Sequence, residues 1–131
     1  MKTRAFLIFC AVGLVPIALG YGAKPSATLD ALFGIQVDTT NLTHIMRAVM
    51  GLYLGMVLFW LWGAFRPHMA VPALVANAVF MLGLAAGRIL SFIVDGMPHW
   101  LLIVYAALEI TLGLIAVVLY RGHASGQPAS G

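Results

Sequence analysis

Charge is what this 131-residue chain is short of: Asp, Glu, Lys and Arg together make up 8% of it, against about 25% in an average soluble domain. With hydrophobic residues at 63%, a soluble fold of this length has nowhere to hide its apolar surface, so the chain reads as an integral membrane protein of one domain. It has one cysteine, Cys10, inside an apolar run, which excludes a disulfide framework and a paired-thiol redox motif. Bulky Phe9 and the short apolar stretch ahead of it argue against lipoprotein cleavage at Cys10. No His-x-x-x-His spacing or paired acids offer a metal site, so none is expected. The net charge of +3 comes from single residues spread over segment ends, without a basic run or aromatic interleaving, which excludes nucleic acid as a partner.

What the chain does have is four apolar runs, predicted to span at about 5–21, 42–64, 71–94 and 100–120. The first, behind the basic cap Met1-Lys2-Thr3-Arg4, is short and also resembles a signal peptide; a retained helix, kinked at Pro16, is the favoured reading. Between the first two runs, Pro25 and Ser26 read as the start of a short interfacial helix that Gly34 stops after Leu32 or Phe33. The polar cluster Asp38 to Thr43 is suited to cap the second span, and its Asn41-Leu42-Thr43 sequon is read as part of that cap. Gly51/Gly55 and Gly83/Gly87 form GxxxG pairs that permit close helix approach. Trp60, Trp62 and Phe65 form an interface belt, and Asp95-Gly96-Met97-Pro98 a tight turn. Residues 122–131 are small and polar, a tail expected to be disordered. The expected fold is an all-α, antiparallel four-helix transmembrane bundle with a short interfacial helix between the first two spans. Lys2, Arg4, Arg66 and Arg121 fall on one side and Lys24 on the other, so both termini are expected in the cytoplasm of a multi-pass inner (plasma) membrane protein.

The third run carries a polar stripe. On a helix, Asn77, Met81, Leu84, Arg88, Ser91 and Asp95 fall on one face. An arginine within a span costs about 2.5–3.5 kcal/mol on insertion scales, so Arg88 is expected to face the interior and to have a partner. Counting 1.5 Å per residue puts Arg88 about 10 Å below Asp95, close to the depth of Glu109 on the next span. An Arg88–Glu109 ion pair solves the problem for both. Arg47 would then pair with Asp95 or share Glu109, and Asn77, deep in the third run, would bond across helices. The candidate ligand-binding residues are Arg47, Arg88 and Glu109, with His44, Ser91, Asp95 and Tyr105 around them, all in the outer half of the bilayer. The bland alternative is that these pairs only lock helix register, with little net gain in stability because desolvation offsets attraction. His44 and His99 at outer helix ends make a bis-histidine haem conceivable, but an interfacial histidine is more often a cap or anchor, and no cofactor is expected.

The set Leu32-Phe33-Gly34-Ile35, Val37-Asp38, Asn41-Leu42-Thr43-His44, Arg47, Gly51-Leu52-Tyr53, Gly87-Arg88, Ser91, Asp95-Gly96, Pro98 and Glu109 resembles a family of small bacterial membrane proteins catalogued as a domain of unknown function. The resemblance covers roughly residues 21–121 and implies a four-helix integral membrane protein with no assigned activity. In shape it is similar to the broader DoxX-like group, some of whose members are linked to quinone-coupled redox or lipid-sized substrates, a likeness of architecture alone. The leading expectation is a protein that binds a small anionic or amphipathic ligand from the outer leaflet. The alternatives are a membrane enzyme or redox subunit acting on a lipid or quinone, in which Glu109 or His44 would move a proton, and a structural accessory subunit docked through its GxxxG faces. Membrane lipids, such a ligand or a partner subunit are the expected contacts.

Overall fold

The computed structural model describes residues 1–126 of the chain. It contains α1 (Lys2–Gly22), α2 (Pro25–Phe33), α3 (Thr40–Phe65), α4 (Ala70–Val94) and α5 (Trp100–Gly126), with a 3-10 turn at Pro67–Met69 ahead of α4. The fold is all-α, and four of the helices are long and apolar enough to cross a membrane. The short α2 lies between the first two of them, as the sequence predicts. Each span is longer at one end or both than its apolar run, because helical hydrogen bonding continues into the polar flanks. The last helix continues to Gly126, so the first half of the expected disordered tail is helical; the remainder of that tail lies outside the described residues.

Each span buries one narrow stripe. On α1 it is Leu7, Ala11, Leu14 and Ala18, and on α3 it is Tyr53, Val57, Trp60 and Ala64. On α4 it is Leu74, Asn77, Met81 and Ala85, and on α5 it is Ala106, Glu109, Gly113 and Ala116. Steps of three and four keep each set on one face of a 3.6-residue helix. The other faces carry exposed Phe9, Val12, Leu58, Val79, Leu90 and Val118, side chains suited to lipid. Chain order sets the packing: α1 lies on α3, α3 on α4 and α4 on α5, with α1 touching α4 across the bundle. Thr3 Oγ1 and His123 Nε2 stand 2.9 Å apart, so both ends of the described chain lie at one end of the bundle, the terminal end. The loop end holds α2 and the α4–α5 turn.

The local stops have identifiable causes. Gly34 takes φ +67°, a conformation open to glycine, and its N–H and that of Ile35 satisfy the last carbonyls of α2. Thr39 caps α3 by accepting from Leu42 N at 3.1 Å. Gly96 at φ +96° makes the α4–α5 turn. Helix α1 runs through Pro16 without interruption.

The glycine pairs face away from the other helices of the described chain. A Cβ placed on Gly51, Gly55, Gly83 or Gly87 would meet nothing within 4 Å, so neither GxxxG pair joins helices within the chain. The close approaches fall at solitary glycines. A Cβ on Gly63 would collide with the Cβ of Ala73, one on Gly22 with the Cβ of Met50, and one on Gly113 would lie 2.6 Å from Leu82 Cδ2.

Candidate functional site

Arg88 and Glu109 meet as the sequence predicts. Arg88 Nε donates to both carboxylate oxygens of Glu109, at 2.7 Å to Oε2 and 3.0 Å to Oε1. The two side chains are only 18% and 10% exposed, so the pair is held largely away from solvent and lipid. The geometry departs from the usual fork, in which two N–H groups of a guanidinium run parallel to the two oxygens of a carboxylate. Here a single N–H is shared between both oxygens. No Nη hydrogen bond of ordinary geometry forms among the described residues, although the Tyr21 hydroxyl lies beside the guanidinium as an acceptor.

Tyrosines surround that guanidinium. Its carbon lies 5.8 Å from the centroid of the Tyr105 ring, within range of a cation–π attraction. The Tyr21 hydroxyl, from the last turn of α1, lies beside it as well. Tyr21 meets Tyr53 edge-on at 5.7 Å, Tyr53 meets Phe80 at 5.1 Å, and Phe80 meets Trp60 at 5.5 Å. This edge-to-face ladder ties the ion pair to the apolar core, each contact contributing about 0.5–1.5 kcal/mol beyond area burial.

The other candidates sit elsewhere. Arg47 pairs with neither Asp95 nor Glu109. Its Nη1 donates to the carbonyls of Gly22 at 3.0 Å and Ala23 at 3.4 Å, closing the C-terminus of α1, where the helix dipole and unpaired carbonyls attract a cation. Ser91 donates to Asp95 Oδ2 at 2.7 Å, an exposed local pair one turn apart at the end of α4. His44 is exposed and makes no hydrogen bond among the described residues. His99 accepts from Leu101 N at 3.2 Å through Nδ1 and packs edge-on against Phe33 at 5.6 Å, so it caps α5 and ties α2 to it. Of the seven candidates, Arg88, Glu109 and Tyr105 are brought together, and Arg47, His44, Ser91 and Asp95 are not.

Two features escaped the sequence reading. Tyr21 had a signal, since it extends the inward stripe Leu7, Leu14, Ala18 by three residues at the depth of Arg88. The second is at Asn77, which is fully buried but does not bond across helices as expected. The Cys10 thiol is its neighbour on α1, yet among the described residues neither amide atom has a hydrogen-bond partner, and neither does the indole nitrogen of buried Trp60. Apolar packing has filled the space around these groups without answering their polarity.

Two hollows bear on chemistry. A slot of about 120 Å³ separates α1 from α5, bounded by Phe9, Gly13, Ile17, Tyr105, Leu108 and Leu112, with Glu109 in its wall. It lies where α1 and α5 pack little against each other, although Thr3 and His123 meet at the terminal end. A shallow groove between α3 and α4 has Gly83 and Gly87 as its floor and Leu52, Arg88 and Ser91 at its edges. A wider hollow at the terminal end, walled by Lys2, Arg4, Phe65 and His123, lies far from the ion pair. Arg4 there rests over the Phe65 ring at 4.9 Å. No group of three or more His, Cys, Asp or Glu side chains comes together among the described residues in a way that would hold a metal ion.

Comparison with curated proteins and with solved structures returns no match. A family model described as a domain of unknown function, DUF4345, matches residues 2–120, from the first turn of α1 to the membrane-spanning part of α5. The match takes in all four spans and α2, so the chain belongs to the DUF4345 family.

Proposed function

We propose that this membrane protein binds an amphipathic ligand whose polar head carries hydrogen-bond acceptor oxygens, received by Arg88 between Tyr21 and Tyr105. The observation that carries the reading is a guanidinium that Glu109 holds through Nε alone, its Nη edge beside the Tyr21 hydroxyl but without a hydrogen bond of ordinary geometry to it. An ion pair serving only to lock two helices would gain most from using the full fork. The one-point attachment orients the arginine while leaving its donors for something else.

Charge narrows the ligand class. The sequence suggests two arginines against one glutamate, hence an anion. Arg47 is engaged with the α1 carbonyls, and Glu109 neutralises Arg88. A fully charged head would lie against the Glu109 carboxylate in a low-dielectric setting, where like charges repel strongly. A neutral carbonyl, ester or hydroxyl oxygen gains the Nη hydrogen bonds without that opposition. We place the protein in the inner (plasma) membrane with both termini cytoplasmic, because Lys2, Arg4, Arg66 and Arg121 gather at the terminal end, against Lys24 in the connections at the other. The Arg88 centre then lies in the outer half of the bilayer.

Native mass spectrometry of the protein in mild detergent tests the reading. A bound small molecule is expected on the native chain and absent from Arg88→Leu/Glu109→Leu, in which the pair is replaced by apolar groups. Retention of the same molecule by that folded double variant would overturn the proposal.

A second reading draws on the outward glycine faces. Gly51, Gly55, Gly83 and Gly87 let another helix approach closely, as an accessory subunit would require. Stoichiometric co-purification of a second chain, lost in Gly83→Leu/Gly87→Leu, is its expected sign.

A further inference from the structure

Between α1 and α5 the bundle is unclosed. The slot there runs from Phe9 to Ile17 on α1, about 12 Å along the helix axis at 1.5 Å per residue. Its walls are apolar, from Phe9, Leu14 and Ile17 on one side and Leu108 and Leu112 on the other. At its loop-end limit stands Tyr105, and Glu109, the carboxylate that fixes Arg88, stands in the wall between Leu108 and Leu112. Two of the slot's wall residues, Tyr105 and Glu109, also meet the Arg88 guanidinium, which itself borders the α3–α4 groove.

We infer that the α1–α5 slot takes the hydrocarbon tail of a single-chain lipid, which enters sideways from the bilayer and places its oxygen-bearing head beneath Arg88. The inference rests on the reading of Arg88 given above and adds the tail, its location and its route. Three observations favour this occupant. The slot lies between two membrane-spanning helices and shares Tyr105 and Glu109 with the polar centre, which suits an occupant that is apolar along its length and polar at one end. Its volume of about 120 Å³ is close to the ~150 Å³ of an apolar protein cavity that admits a benzene ring, room for a short stretch of one chain and too little for two. Gly13 faces into it, and a Cβ added there meets nothing within 4 Å, so the wall on the α1 side is recessed. A second protein helix, about 10 Å across, does not fit such a slot.

The recessed glycine supplies the test. A large side chain at Gly13 fills the slot from within, touches no existing atom at its base, and raises the helix propensity of α1. The probe is a monoacylglycerol with a diazirine at mid-chain, offered to the full chain in phosphatidylcholine nanodiscs and cross-linked by light, with the labelled residues mapped by mass spectrometry. The native protein is expected to label on α1 and α5 around Gly13, Leu108 and Leu112, and Gly13→Trp to reduce that label at least about tenfold with its melting temperature kept. Leu108→Trp fills the slot from the opposite wall and is expected to do the same, which guards against a folding defect in either variant.

Each result separates the two claims. Label that survives both tryptophans but is lost in Arg88→Leu/Glu109→Leu removes the slot and leaves the Arg88 reading standing. Label lost in the tryptophan variants but kept in the double variant upholds the slot and removes the polar centre. Label spread evenly over the lipid-facing surface, indifferent to every substitution, overturns both. A diazirine fatty acid run in parallel distinguishes the neutral head from a charged one. Equal or stronger slot labelling by the acid would overturn the assignment of an uncharged head.

Discussion

The terminal and loop ends of this bundle are held together by different physics. Toward the terminal end, α1, α3 and α4 interlock through Leu7, Ala11, Trp60, Ala64, Ala73 and Leu74, and Gly63 brings the backbones nearly into contact. Toward the loop end α1 and α3 stay in contact at Gly22 and Met50, but α4 and α5 are more exposed. Ile89, Leu90, Ile93 and Val94 of α4 and Trp100 of α5 are exposed, and one ion pair with its tyrosines carries the interior. In a membrane, apolar packing gives shape without needing charge, because lipid competes only weakly with a well-fitted helix face. A charge pair retained at that depth, in the less packed half, is where a binding function is to be sought.

The comparison is broken most severely by taking one partner from the pair. Glu109→Leu leaves Arg88 unpaired and is expected to lower stability by about 3–5 kcal/mol, seen as loss of the folded monomer in detergent melts. The double variant Arg88→Leu/Glu109→Leu is expected to recover to native stability or above, because both desolvation costs vanish together. Failure to recover would make the pair structural in its own right. At the other end, Gly63→Leu drives a side chain into Ala73 and the Met69 carbonyl, 2.9 Å from the new Cβ, and is expected to cost about 3 kcal/mol in the same melts. Asn77→Leu runs the opposite way. It removes two buried amide atoms without partners and is expected to stabilise the protein by about 1 kcal/mol. If it destabilises instead, Asn77 holds a partner such as a bound water, and the terminal half is less purely apolar than its packing suggests. The smallest effect is expected at the outward glycines. Gly51→Ala and Gly55→Ala should move the monomer melt by no more than about 0.5 kcal/mol, and a larger drop would mean that this face is packed in the working assembly.

The site was half visible in advance. Arg88 and Glu109 could be paired from depth alone, since an arginine and a glutamate on consecutive antiparallel helices have few other ways to meet. Tyr105 followed because it stands one turn from Glu109. Arg47 could not be placed by depth, since the carbonyls at the end of α1 offered a partner that no side-chain inventory lists. The stripe through Arg88 continues to Ser91 and Asp95 by spacing, but there the neighbouring helices diverge, and the two residues bond to each other at the surface. The glycine pairs left a related question open: GxxxG states that a close approach is permitted on a face, and says nothing of which helix comes.

The sequence by itself determined that four apolar runs cross a membrane, that α2 lies between the first two, that Gly34 and Gly96 turn the chain, and that Arg88 needs Glu109. These follow from run length, local dihedral preference and the cost of an unpaired charge, all of which are properties of a segment or of a depth. Only the tertiary structure decided that α1 and α5 stay apart, that Tyr21 closes on Arg88, and that the solitary glycines rather than the paired ones carry the close contacts. Those outcomes depend on how each helix is rotated about its own axis. That rotation is set by all the contacts of the bundle at once.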